Sequence, residues 1–138
     1  MKAIVFNHSL PIDQKNALFE TTLDTPIATG RDLLVKIEAI SVNPVDCKVR
    51  LRALPEQGEP KVLGFDAVGT VQAIGDDASL FKVGDVVFYA GDVGRSGSNA
   101  EYQLVDERIV GFAPKKIGKA PAAAIPLTAI TAYEMLFD

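Results

Sequence analysis

LLVKIEAISVNPVDCKVR, residues 33–50, joins two kinds of sequence at a single dipeptide. Leu33 to Val42 is rich in aliphatic and β-branched residues, the composition of a strand. Asn43-Pro44 stops that strand, because the proline ring fixes its own φ and disfavours helical geometry at the residue before it. A short helical turn is predicted to begin at Pro44. Asn43, Asp46, Cys47, Lys48 and Arg50 therefore fall at a strand end, where binding and catalytic groups are often carried. Taken alone, the same residues also read as a solvated strand-to-helix turn with an Asx cap and surface charges.

Outward from this stretch the pattern stays β. Apolar or alternating runs occur at Ala3 to Phe6, Ala17 to Leu23, Ala67 to Ile74, Val86 to Tyr89, Ala100 to Val105 and Ile109 to Phe112. Turn residues part them at Thr29-Gly30-Arg31-Asp32, Gly75-Asp76-Asp77, Gly84-Asp85 and Gly91 to Gly97. Many short strands with such punctuation predict a small barrel or sandwich. The last fifth changes period, with an alanine-rich Gly118 to Ile125 and apolar residues at helical spacing from Leu127 to Phe137. Two helices separated by Pro126 are expected there, and the abrupt end at Asp138, without a capping glycine, suggests that more chain once followed.

At 138 residues the chain suits one domain with its own core. Fourteen Lys and Arg against 18 Asp and Glu give a net charge of −4 with no basic stripe, which argues against nucleic acid as a partner. One cysteine excludes a disulfide framework and a cysteine-rich zinc site, and fits a cytoplasmic protein. The N-terminal apolar run is too short for a signal peptide, and no stretch is read as long enough to span a bilayer.

Several residues invite a chemical reading beside a structural one. The glycines 91, 94 and 97 stand three apart and precede a strand-like Ser98 to Val105, which is not the spacing of a phosphate-binding fingerprint. A mobile loop bordering a cleft is expected instead, with Ser98, Asn99 and Tyr102 able to offer hydrogen bonds; strand packing is the plainer role for Tyr102. Asp66 enters the core end of a strand and needs a partner, either Lys48 or Arg50 as structural pairing or an active-site neighbour. His8 has no second histidine to work with, and Cys47 is expected as a small half-buried thiol rather than a nucleophile. Thr128 and Thr131 share one helix face, where they either bond back to helix carbonyls or line a polar pocket.

Four segments together resemble the zinc-free, quinone oxidoreductase-like branch of the medium-chain dehydrogenase/reductase superfamily. They are LLVKIEAISVNPVDCKVR, LGFDAVGTVQAIG with the following Phe81 to Val87, SNAEYQLV, and IPLTAITAYEMLF. The resemblance covers nearly the whole chain. It implies a mainly β fold, the GroES-like partly open barrel with short helices, occupying residues 1–138 as the catalytic or substrate domain. It also implies that the last helix leads toward a Rossmann cofactor domain absent from this chain. Where zinc-dependent members carry a cysteine ligand this chain has Asn43, and where they carry a His-Glu pair it has Phe65-Asp66. No metal is therefore expected.

For the whole enzyme the resemblance implies hydride transfer from NADPH, or NADH, to a small-molecule enone or quinone. Asn43, Asp46, Lys48 and Asp66 are the implied catalytic group, with Asn43 and Lys48 stabilising the oxyanion and Lys48 giving the proton. Asn43, Thr128 and Thr131 are implied at the cofactor, and Tyr89, Asn99 and Tyr102 at the substrate. A homo-oligomer is expected, and no membrane partner. The competing reading from another class is a stand-alone GroES-like module that binds or assembles without catalysis.

Overall fold

The computed structural model describes residues 1–52, 55 and 59–137. Eight strands run in chain order as β1 (Lys2–Phe6), β2 (Phe19–Thr22), β3 (Asp32–Ser41), β4 (Lys61–Val62), β5 (Asp66–Ile74), β6 (Val86–Ala90), β7 (Tyr102–Asp106) and β8 (Gly111–Phe112). Three helices join them: α1 (Pro44–Arg52), α2 (Lys119–Ala123) and α3 (Pro126–Phe137). The strands form two antiparallel sheets, ordered β2-β1-β4 and β7-β3-β5-β6-β8, which do not close on themselves. The short strands are those that the punctuation of the sequence predicts, and the mainly β, partly open architecture is the one the resemblance implies.

The central strand β5 explains why one sheet carries two cores. Ala67 and Val71 pack with Leu33, Val35, Val87, Tyr89 and Val105 on one face. Val68, on the other, meets Ala122 and Ala123 of α2. A strand buried on both faces must read as a near-continuous apolar run, and residues 67–69 are all buried. Each aliphatic side chain taken fully out of water contributes about 1.5–3 kcal/mol, so this double core is the main source of stability. Gly69 is required by the pairing itself: a Cβ there would come to 2.2 Å from the Lys36 carbonyl oxygen of β3, next to the irregularity at Ile37/Ala39.

Several boundaries depart from the sequence reading. The turn expected at Pro44 is a nine-residue helix, and the two-residue β4 carried no detectable pattern. Lys119–Phe137 is apolar and long enough to cross a membrane by length and composition, which corrects the expectation that no stretch approaches that size. It is broken at Ala124 and Ile125, however, and the 12 residues of α3 reach only about 18 Å, short of a bilayer core. Asp138 lies outside the described residues.

The segment from Gly91 to Asn99, expected to be mobile, is held along its length by backbone bonds. Gly91 N donates to Phe65 O at 2.9 Å, Gly97 N to Val62 O at 3.1 Å, Ser98 N to Gly64 O at 3.1 Å and Asn99 N to Leu63 O at 2.8 Å. Arg95 adds a two-pronged bond to Asp32, at 2.8 and 2.7 Å. The approach is so close that a Cβ on Gly64 would meet Ser98 Oγ at 2.4 Å and Asn99 N at 2.8 Å, and Gly64 has φ +108. Gly64→Ala should therefore combine backbone strain with a clash and lower the unfolding free energy by about 3 kcal/mol, read as a lower urea midpoint.

Buried Glu107 is the other polar anchor. Its Oε2 accepts from Ser79 N at 2.8 Å and Leu80 N at 2.7 Å, and its Oε1 from Arg31 at 2.8 Å. These bonds, the one from Leu80 foremost, hold its carboxyl below the ordinary 4.5. The stability they add is present above that ordinary value and is lost as pH falls through the depressed one. Glu107→Gln should unfold at lower urea near neutral pH, and its deficit against the wild type should shrink on acidification; a constant deficit would count against this account.

Candidate active site

The amide of Asn43 and the carboxylates of Asp46 and Asp66 meet where β3 hands over to α1. Asn43 caps the helix, and its N–H donates to Asp46 Oδ2 at 2.7 Å while Asp46 N returns a bond to Asn43 O at 3.0 Å. The acidic residue three places into the helix thus reaches back to the cap, half of a capping box. Pro44 opens the first turn, where its missing N–H costs nothing.

Asp66, the first residue of β5, is fully buried beside this turn. Its Oδ2 accepts from Asn43 Nδ2 at 2.9 Å and its Oδ1 from Leu127 N at 2.8 Å. Leu127 is the second residue of α3, so a carboxylate from a strand serves as the cap of a helix 61 residues away. The sequence reading offered Lys48 or Arg50 as its partner; neither is. Arg50 turns away to the Leu10 carbonyl oxygen, and Lys48 is exposed. Burial pushes the Asp66 carboxyl up from its ordinary value, opposed by the bonds from Asn43 and Leu127 and aided by the nearby charge of Asp46.

Asp46 is 5% exposed, and its Oδ1 is buried with no hydrogen-bond partner. Leaving a buried carboxylate oxygen unpaired costs about 1–3 kcal/mol or more, so this atom marks a place that a donor can fill. Asn43 carries its own restriction. Its Nδ2 donates to Asp66 and, at a longer 3.4 Å, to the Ser41 carbonyl oxygen. Both amide hydrogens are thereby directed at oxygens, and Oδ1 is left as an acceptor.

The remaining expected residues do not all converge here. Thr128 and Thr131 are exposed on α3, one and four residues past the bond to Asp66. Tyr89 is corrected from substrate contact to core: it is buried in the main cluster, its hydroxyl donates to Gln103 Oε1 at 3.0 Å, and burial drives its pKa upward. Asn99 sits in a groove between β1 and β3, and Tyr102 lines a separate one with Met1, Leu23 and Arg95. Cys47 is exposed rather than half-buried. Asp46's orphaned oxygen and the Asp66–Leu127 bond had no signal in the sequence, because both depend on long-range packing.

Residues 29–118 match the model of the alcohol dehydrogenase GroES-like domain. The chain belongs to that family. Along its full length the GroES-like domain is 51% identical to a zinc-type alcohol dehydrogenase-like protein of Staphylococcus epidermidis, covering 40% of that protein. Over 127 residues it is 37% identical to a 2-methylene-furan-3-one reductase of Solanum lycopersicum, covering 85% of this chain and 32% of that one. Its fold superposes with a TM-score of 0.96 and 51% identity on a candidate zinc-dependent alcohol dehydrogenase protein from Rhizobium etli CFN 42, over all of this chain and 40% of the other. The GroES-like domain thus spans about two fifths of the length of its curated zinc-type alcohol dehydrogenase-like relatives.

Zinc does not fit the side chains present. Among the described residues no group of three or more His, Cys, Asp or Glu is placed to hold a metal. Asn43 is an amide already engaged, Phe65 is a buried ring, and the lone cysteine is exposed four positions on.

Because the folded state holds the Asp66 proton to higher pH than the unfolded chain does, this group's contribution to stability falls as pH rises from the ordinary 3.8 through the raised value. Asp66→Asn should abolish that fall, at the cost of one acceptor for Asn43 or Leu127. Urea titrations from about pH 3 to about pH 7 on both proteins check it. An unchanged profile would show that Asp66 ionises as in the unfolded chain.

Proposed function

We propose that residues 1–138 are the substrate domain of an NADPH- or NADH-dependent reductase of enones or quinones that works without zinc. The observation that carries this reading is the 2.9 Å bond between Asn43 and Asp66, with Phe65 beside them, at the positions where zinc-dependent members hold their metal. The cofactor-binding domain belongs, in this reading, to the part of the enzyme beyond the segment matched here. The enzyme acts in the cytoplasm as a homo-oligomer on a small molecule, not on nucleic acid or at a membrane.

The bound nicotinamide supplies the hydride to the substrate's β-carbon. No metal polarises the carbonyl, so charge gathering on its oxygen must be met by hydrogen bonds and a cation. Lys48, exposed on α1, is the cation of the group and gives the proton to the enolate. Asp46 Oδ1, lacking a donor of its own, accepts from a water that carries the proton onward. Asn43 Oδ1, fixed because Asp66 grips the other end of the amide, would be the acceptor that helps hold a bound nicotinamide. Thr128 and Thr131 lie on the adjoining helix as further contacts to that end of the cofactor. Asn99 and Tyr102 would border the substrate only at a distance from these groups.

In the complete enzyme, Lys48→Met should lower kcat on an enone by roughly 100-fold while leaving NADPH affinity within about 2-fold. Lys115→Met, a change at an exposed lysine outside the group, should leave kcat unaltered; equal kcat in both variants would remove Lys48 from the chemistry. Metal analysis of enzyme purified without added metal should find no stoichiometric zinc, and zinc bound in the Asn43 to Asp66 region would end the zinc-free reading.

A further inference from the structure

The side of α1 away from Asp46 and Arg50 borders a shallow depression of roughly 400 Å³ lined by Lys48, Val49, Arg52, Lys61 and Val93. Lys48 and Arg52 are four residues apart and so stack on one helix face. Lys61 comes from β4 and Val93 from the loop pinned against it. The ion pairs among the described residues engage Lys2, Arg31, Arg95, Arg108 and Lys119, and none engages Lys48, Arg52 or Lys61. Among the described residues no acidic side chain lines the depression, although the chain as a whole carries a net charge of −4. The negative end of the α1 dipole accounts for Arg52 in the last turn, but not for Lys48 in mid-helix or for Lys61 on a strand.

Three like charges without an ion pair among the described residues surround one concavity and repel one another, and an anion seated among them reverses the sign of every one of those terms. We propose that this depression is an anion site that takes a phosphate-bearing small molecule. The guanidinium fork of Arg52 and the two ammonium groups meet the phosphate oxygens, and Val49 and Val93 meet the apolar part of the ligand. The site shares Lys48 with the proposed reduction group, so the proposal rests on Arg52 and Lys61, which that group does not use.

Inorganic pyrophosphate is the probe, titrated into the full chain at low ionic strength and followed by amide and methyl resonances. Saturable shifts are expected at Lys48 to Arg52, Lys61 and Val93, weakening as salt is raised. Arg52→Gln and Lys61→Gln, each with wild-type spectral dispersion, should weaken binding roughly 2- to 5-fold, as expected for exposed charge pairs, and Lys115→Gln should not change it. Phenyl phosphate should in addition move the Val49 and Val93 methyls. The proposal is overturned by shifts that do not saturate, by an Arg52→Gln/Lys61→Gln double variant that binds like the wild type, or by methyls that stay still.

Discussion

One carboxylate, that of Asp66, ties the starts of two helices to the larger sheet. It accepts from the side chain of Asn43, the residue before α1, and from the backbone that opens α3, and it does so in complete burial. A buried charge of this kind is tolerable only while both donors stay in place, which makes the three segments interdependent. If α3 shifts, Leu127 N leaves; if the turn after β3 shifts, Asn43 leaves. The register of Ser41 against Asp66 in the β3–β5 pair sets the height at which all three meet. The candidate site is therefore not an addition to the scaffold but the point where the larger sheet is locked to two helix ends.

That lock also bears on what the rest of α3 can do. Beyond Leu127 the helix turns apolar residues outward, with Met135 82% and Phe137 71% exposed, and only its first turn is tied to the sheet. Tyr133 and Phe137 stack on each other along that surface, their centroids 5.0 Å apart. The helix is thus tethered near its start through the same carboxylate that orients Asn43. The two oxygens of one carboxylate divide the work, Oδ1 toward Leu127 and Oδ2 toward Asn43.

Much of the frame was legible because it rests on local rules. Strand runs, the break at Asn43-Pro44 and the change to helical period after Gly118 each follow from neighbours in sequence, and the structure has elements at all of them. Asn43, Asp46 and Asp66 were legible as unusual placements of polar residues at strand ends. What they bond to was not, since Asp66 and Leu127 are brought together by the fold alone. Tyr89 shows the converse error. The resemblance implied Tyr89 at the substrate, yet alternation along β6 sends it inward with Val87, and Gln103 across the core takes its hydroxyl. β4 was invisible because two residues carry no period at all.

The way the segment from Gly91 to Asn99 is fastened has a separate consequence. Its anchors are main-chain groups bonded to main-chain groups of residues 62–65, and such bonds are indifferent to side-chain identity. Substitution at Asp92, Val93 or Ser96 leaves every one of them intact, while Gly64 and Gly97 allow no side chain at the contact. Variation in this family of surfaces can thus be concentrated on a rim whose path is fixed in advance, so that new side chains are presented from a known backbone rather than from a rebuilt loop.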